Sequence, residues 1–116
     1  MSRSFYRIVK TEAPTAADFL SKPAVAQELL DKRPELARIL TGISVFDGIE
    51  LARKKALRFP MLGEFLAEIS VTETPPLHFE RTTTSRGHYT LWGDPEQLLE
   101  LVVRVEPVLP VRLSSS

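Results

Sequence analysis

The order in which strand and helix signals follow one another is the feature that most constrains the fold of this chain. Strand signals occur in six places, at residues 5–10, 42–46, 63–71, 77–82, 88–92 and 103–108. Short amphipathic segments separate several of them. The strands near the end are joined by a connection of hairpin length at 83–87, which excludes parallel crossovers there. We therefore predict an α+β domain, in which a mixed or antiparallel sheet of about five to six short strands is flanked by small helices.

Helix boundaries are marked by prolines and by acidic residues that can act as N-caps. Asp47 is the expected N-cap of a helix that follows the strand at 42–46. Asp94 is the expected N-cap of a later helix, because Pro95 suits the first helical position. The apolar spacing over 24–40 predicts two short helices, the second of which opens at Pro34.

The composition bounds both the size of the domain and its chemistry. A chain of 116 residues is enough for one core, so we predict a single domain over 1–108, with 109–116 as a flexible tail. The absence of cysteine excludes disulfides, a thiol nucleophile and thiolate metal sites. Two histidines are too few for an all-histidine zinc centre, and we expect no metal.

The balance of charges bears on possible partners. Fifteen Lys and Arg residues face fifteen Asp and Glu residues, which argues against DNA or an anionic membrane as the main partner. The N-terminus lacks the apolar core of a signal peptide, and no apolar run approaches the ~20 residues of a membrane span. We expect a cytoplasmic protein that binds neither DNA nor a membrane.

Arg7 and Ser44 are the first two candidate functional residues. An arginine on an otherwise apolar strand face needs an anion. This anion is either a bound phosphate or a carboxylate of Glu64, Glu68, Glu80 or Glu106, unless the face is exposed. Ser44 lies in a predicted buried strand that leads directly into a helix. Its hydroxyl is placed to contact a ligand's ribose or phosphate, or to bond the backbone of a neighbouring strand.

The hairpin at residues 80–89 is the third candidate. It combines four hydroxyl side chains with two arginines and a histidine. Arg86 and His88 suit phosphate or nucleotide contacts, and Tyr89 or Trp92 is available to stack on a base. An ordinary solvated turn is the alternative interpretation.

Three segments, taken together, resemble a known group of proteins. They are Phe5-Tyr6-Arg7-Ile8-Val9, Gly42-Ile43-Ser44-Val45-Phe46-Asp47 and Glu50-Leu51-Ala52-Arg53-Lys54-Lys55-Ala56. Their order resembles the ADP-ribosyltransferase-like superfamily, particularly its small NAD-consuming toxin and RNA 2′-phosphotransferase branches. The resemblance implies a pocket for NAD or an ADP-ribose compound. In it, Arg7 holds the phosphates or ribose, and Ser44 lines the nicotinamide site.

The late glutamate of that superfamily, which orients the ribose hydroxyl, has no direct counterpart in this chain. The corresponding position falls at His88 or its neighbour. Glu80, on the preceding strand, is the nearest acidic substitute, and Glu68 is another. A late histidine is more similar to the phosphotransferase branch than to the toxins, or it marks a domain that keeps the pocket without the transfer reaction. The resemblance thus implies Arg7, Ser44, His88 and Glu80 as catalytic candidates. It also implies that NAD is the substrate and that the ligand contacts are Arg7, Ser44, Arg86, Tyr89 and Trp92.

Two other classes of function fit the same sequence. One is a non-catalytic protein-interaction module, such as an immunity protein, an antitoxin or a regulatory subunit, which would use an exposed aromatic anchor formed by Phe65, Phe79, Tyr89 and Trp92. The other is RNA contact, which requires Arg53, Lys54, Lys55, Arg58, Arg81 and Arg86 to share one face. For the basic residues at 53–58, a solvated helix face matched to the helix dipole is the simpler interpretation.

Overall fold

Six strands form one sheet in a computed structural model that describes residues 2–20, 30–74 and 77–109. The strands are β1 (Arg3–Val9), β2 (Ile43–Phe46), β3 (Phe65–Val71), β4 (His78–Glu80), β5 (His88–Trp92) and β6 (Val102–Pro107). They lie in the order β4-β5-β2-β1-β3-β6, and every neighbouring pair is antiparallel. The predicted α+β class and antiparallel sheet are confirmed.

Short helices connect the strands. They are α1 (Pro34–Ile39), α2 (Ile49–Arg58) and α3 (Pro95–Glu100), with 3₁₀ turns at Ala16–Phe19 and Pro60–Leu62. None of the helices formed by the described residues has the length and apolar character needed to span a membrane.

The helix starts predicted at Pro34 and Asp94 are confirmed. Pro34 opens α1, and the Asp94 carboxylate accepts a hydrogen bond from the Gln97 N–H at 3.3 Å at the start of α3. The other helix predicted within 24–40 falls largely on residues 21–29, which lie outside the described part of the chain. The predicted tail at 109–116 also lies outside it, apart from Leu109.

The prediction that Asp47 caps α2 is wrong. The N-cap is Gly48, and no side chain caps the helix there. The Asp47 N–H instead donates to the Gly87 carbonyl at 2.9 Å, and its carboxylate lies 3.5 Å from Arg3 Nη2. Because Asp47 is held against the β4–β5 connection, the chain turns into the helix one residue later.

The main core lies on one face of the sheet. The alternation of side chains along β1 places Phe5 and Val9 on this face, where Phe19 of the first 3₁₀ turn and Leu98 of α3 join the same core cluster. A smaller cluster forms on the opposite face, where Ala52 and Ala56 of α2 pack with Leu66, Ile8 and Phe46. The sheet is therefore covered on both faces, and α2 marks the second one, called here the α2 face.

The sheet is incomplete between β1 and β2. β1 pairs with β3 along its whole length, from Arg3 to Val9. By contrast, Tyr6 opposite Phe46 is the single register pair between the described residues of β1 and β2. The part of β1 that follows Tyr6 and the part of β2 that precedes Phe46 therefore border a gap.

Replacement of Gly87 by alanine tests the contact between the β4–β5 connection and α2. Gly87 has φ +74°, and a Cβ there would lie 2.2 Å from Leu51 Cδ1 and 2.7 Å from Asp47 Oδ1. We expect Gly87→Ala to lower the free energy of unfolding by about 1–3 kcal/mol, measured by urea denaturation. Gly48→Ser is the control, since the nearest contact of its Cβ is 3.8 Å and serine is a favourable N-cap. Equal losses in both variants would contradict this account.

Candidate functional site

The Arg7 side chain crosses the gap between β1 and β2. Its Nη1 donates a hydrogen bond to the Ser44 carbonyl at 2.9 Å, and its Nε donates to the Asp18 carbonyl at 3.1 Å. Ser44 belongs to β2, and Asp18 belongs to the 3₁₀ turn. At the gap, the Arg7 side chain thus links β1 to β2 and to the 3₁₀ turn, in place of backbone pairing.

The positive charge of Arg7 is not neutralised by a salt bridge with any described carboxylate. Of the four glutamates suggested by the sequence as its partner, Glu68, Glu80 and Glu106 engage other side chains. Burial lowers the pKa of Arg7, and the carboxylate of Asp18 opposes that shift. Because a guanidinium keeps its proton in proteins, Arg7 remains a cation whose other N–H groups are available to an anion.

A cavity of about 300 Å³ lies in this gap and is named here the Arg7 pocket. Three residues predicted from the sequence, Arg7, Ser44 and His88, line it together. Leu20, which follows the 3₁₀ turn, lines one side, and Lys55 of α2 lines the other. The cavity therefore connects the core face of the sheet with the α2 face.

Ser44 is exposed, which corrects the expectation that it lies in a buried strand. Ile43 and Val45 are buried on the core face, whereas Ser44 points to the opposite face because side chains alternate along β2. The Ser44 hydroxyl forms no hydrogen bond with the described residues, so bonding to a neighbouring strand's backbone is not found. The hydroxyl is free to contact a ligand in the Arg7 pocket.

His88 is the titratable residue of the Arg7 pocket whose protonation changes nearest neutral pH. Its Nδ1 lies 3.1 Å from Thr83 Oγ1, and its ring centroid lies 5.4 Å from that of Phe46. Burial lowers the pKa of His88, and the positive charge of Lys55 lowers it further. The neutral imidazole is therefore favoured, and one of its nitrogens can accept a proton or a hydrogen bond.

Glu80 does not line the Arg7 pocket. Its Oε1 lies 3.1 Å from His78 Nε2 and 2.9 Å from Arg38 Nη2. The hydrogen bond with His78 and then that with Arg38 lower the pKa of the Glu80 carboxyl. The other acidic candidate, Glu68, accepts a hydrogen bond from the Ser4 hydroxyl at 3.0 Å and is also outside the described lining. No carboxylate is among the described residues that line this pocket.

Tyr89 and Trp92 lie on opposite faces of β5, since they are three residues apart on a strand. Tyr89 packs against the core, with its ring centroid 5.2 Å from that of Phe5. Trp92 stacks on His78 at 5.5 Å, and its indole N–H donates to Thr41 Oγ1 at 2.9 Å. They are neither part of the described lining of the Arg7 pocket nor members of one flat aromatic patch.

A second cavity, of about 320 Å³, adjoins the Arg7 pocket and is named here the basic pocket. The two cavities share Phe46, Lys55 and His88. The basic pocket is lined by four cationic side chains, which are Lys54, Lys55, Arg58 and Arg86.

Four of the six basic residues considered for RNA binding line this pocket, and the other two are not part of its described lining. Arg53 points elsewhere, with its Nη2 2.9 Å from Glu106 Oε2, and Arg81 is not part of the described lining. The six residues therefore do not all line one described cavity.

Lys55 is a lining residue of the Arg7 pocket that the sequence did not single out as a ligand contact. Its position offered a signal, because it lies three residues after Ala52 and next to Ala56, the two alanines that α2 buries. A helical residue with that spacing borders the face that packs on the sheet.

The described residues contain no group of three or more acidic, histidine or cysteine side chains that could hold a metal ion. The two histidines do not face each other across the sheet. His78 lies opposite Trp92, and His88 lies opposite Phe46.

In comparisons with known proteins, no protein family, curated protein or solved structure matches this chain. The chemistry of the two pockets therefore carries the functional argument.

The two histidines predict opposite effects of acid on stability. The folded-state pKa of His88 is lowered from 6.5, so its contribution is fully present above that value and is lost as the pH falls through the folded pKa. The pKa of His78 is raised by its hydrogen bond with Glu80, opposed by desolvation, and raised further by the hydrogen bond and charge of Glu73. Its contribution is present below 6.5 and is lost as the pH rises through the folded pKa.

Urea denaturation between about pH 7 and about pH 5 measures both contributions. Over this range, the His88→Asn variant should lose less stability on acidification than the wild type. The His78→Asn variant is the matched control and should lose more. An identical pH dependence in all three proteins would contradict these assignments.

Proposed function

We propose that the Arg7 pocket binds NAD or a related ADP-ribose compound. The observation that carries the proposal is the meeting of Arg7, Ser44 and His88, which are far apart in the chain, in one cavity. Arg7 supplies a positive charge for a phosphate, since no described carboxylate forms a salt bridge with it, and the Ser44 hydroxyl and the His88 imidazole supply contacts for ribose hydroxyls. The resemblance of the sequence to the ADP-ribosyltransferase-like superfamily supports the same ligand class.

The walls and size of the pocket support binding of one half of such a dinucleotide. A volume of about 300 Å³ lies at the lower end of the range for small-molecule sites. Ile39, Leu40 and Phe46 provide apolar surface on which a nicotinamide ring can pack. The adjoining basic pocket provides room in which the ligand can continue.

The enzymatic form of this proposal is transfer or hydrolysis at the nicotinamide ribose. The oxygen of water or of an acceptor hydroxyl attacks C1′, the bond from C1′ to the nicotinamide nitrogen breaks, and neutral nicotinamide leaves with the electron pair. His88 accepts the proton of the attacking O–H group, and Arg7 holds the diphosphate. Because no carboxylate is among the described lining residues to offset the charge at C1′, ligand binding is the better supported part.

Calorimetry with NAD and with ADP-ribose tests binding. Arg7→Gln removes the charge, so we expect it to weaken binding by about tenfold or more. Arg7→Lys keeps the charge and should retain part of the affinity. Circular dichroism reports whether the variants fold. If Arg7→Gln does not fold, the affinity of Arg7→Lys is compared with that of the wild type instead. Arg104→Gln, on the exposed part of β6, is the control and should bind as the wild type does. The proposal fails if the wild type shows no binding at millimolar ligand, or if folded Arg7→Gln binds equally well.

Chromatographic detection of released nicotinamide tests the enzymatic form. If His88 accepts the proton, His88→Ala should slow release by about 10²-fold or more while NAD still binds. His78→Ala is the control, because that histidine lies outside both described pocket linings. A wild type that binds NAD but releases no nicotinamide would exclude the transfer step and leave a nucleotide-binding domain.

A further inference from the structure

The basic pocket concentrates positive charge, and none of the described residues that line it is acidic. Lys54, Lys55 and Arg58 come from the second half of α2, and Arg86 comes from the β4–β5 connection that faces it. None of these four side chains forms a salt bridge with a described carboxylate, although acidic and basic residues are equal in number over the whole chain. Four cations that border one cavity repel one another, so the site favours an anion.

The helix dipole accounts for only part of this arrangement. The dipole favours cations near the C-terminus of α2, and this explains the positions of Lys55 and Arg58 in its last turn. It does not account for Arg86, which approaches the same cavity from a different element. Two of the three α2 cations that line the pocket also lie over one ring, with Lys55 Nζ 4.8 Å and Arg58 Cζ 5.4 Å from the centroid of Phe59. These contacts hold the two charges beside the cavity.

We propose that the basic pocket binds a phosphate monoester. Such a group carries about −1.5 to −2 charges near neutral pH and three acceptor oxygens, which suit a site with several cations better than a singly charged carboxylate does. Arg58 and Arg86 can each donate two hydrogen bonds to it, and the lysines add charge. Thr83 and Ser85 bring hydroxyl groups to the same lining.

The apolar side of the basic pocket suits the organic part of the ester. Phe46, Leu51 and Phe59 also contribute to the lining. Rings or sugar carbons can pack there while the phosphate meets the cations. The ligand class is therefore a phosphorylated organic molecule, in preference to inorganic phosphate alone.

Two sources can supply this phosphate. One is an extra phosphate on the dinucleotide itself, as in NADP, since the basic pocket shares Phe46, Lys55 and His88 with the Arg7 pocket. The other is a separate phosphorylated molecule bound beside the dinucleotide. Binding of phosphate here does not depend on the function proposed for the Arg7 pocket.

Titration of the intact protein with inorganic phosphate, followed by NMR of the His88 ring, tests the site. His88 borders the cavity, where it meets Lys55 from α2 and Thr83 from the β4–β5 connection. A bound anion should raise the His88 pKa in a saturable manner. Arg58→Gln and Arg86→Gln should each weaken phosphate binding by about tenfold. Arg81→Gln is the matched control on the same connection and should leave it unchanged.

Chloride at equal ionic strength separates a phosphate site from general screening. The proposal is overturned if chloride produces the same change in the His88 pKa, if phosphate produces no saturable change, or if Arg81→Gln weakens binding as much as Arg86→Gln does. If a variant fails to fold, the comparison of phosphate with chloride in the wild type still tests whether the protein has a saturable phosphate site.

Calorimetry with NADP and NAD then identifies the source. Tighter binding of NADP than of NAD, lost in Arg86→Gln and competed by phosphate, assigns the site to the dinucleotide. Simultaneous binding of NAD and phosphate, with equal affinity for NADP and NAD, assigns it to a second molecule. If no dinucleotide binds while phosphate still does, the function proposed for the Arg7 pocket fails and the phosphate site stands.

Discussion

The link between Arg7 and two backbone carbonyls is the interaction on which the candidate site depends. β1 and β2 share a single register pair, and the carbonyl of Ser44 in β2 receives its hydrogen bond from a guanidinium. Because a typical hydrogen bond contributes a net of about 0.5–1.5 kcal/mol, the contact from Arg7 helps to make the gap in the sheet tolerable. The same placement brings a cation that has no described carboxylate partner to the cavity. One side chain therefore serves both the fold and the pocket.

The distribution of charge explains why a neutral chain can hold a positively charged site. Acidic side chains are used in contacts away from the two pockets, where Asp47 meets Arg3, Glu80 meets Arg38 and Glu106 meets Arg53. Those pairs leave the second half of α2 and the connection that faces it without described salt bridges. The equal totals of acids and bases thus conceal a local excess of positive charge. Burial lowers the pKa of His88, and this positive charge, through Lys55, lowers it further.

Sequence reasoning succeeded where a structure depends on neighbours along the chain, and it failed where a distant contact competes. Asp94 caps α3 because its N-cap carboxylate and the following proline act within one turn. Asp47 has the same local chemistry, yet its backbone N–H bonds Gly87, and the helix begins later. Ser44 was misjudged because a short apolar run does not reveal that one face of the strand is open.

The sequence by itself determined the α+β class, the presence of strands in six segments and the start of α3, because these follow from periodicity and capping over a few residues. Tertiary structure alone decided that Arg7, Ser44 and His88 meet while Glu80 lies elsewhere. The strand order places β1 and β5 on either side of β2, and the incomplete pairing of β1 with β2 opens the cavity between them. Both depend on contacts between residues that are far apart in the chain, which local patterns do not encode.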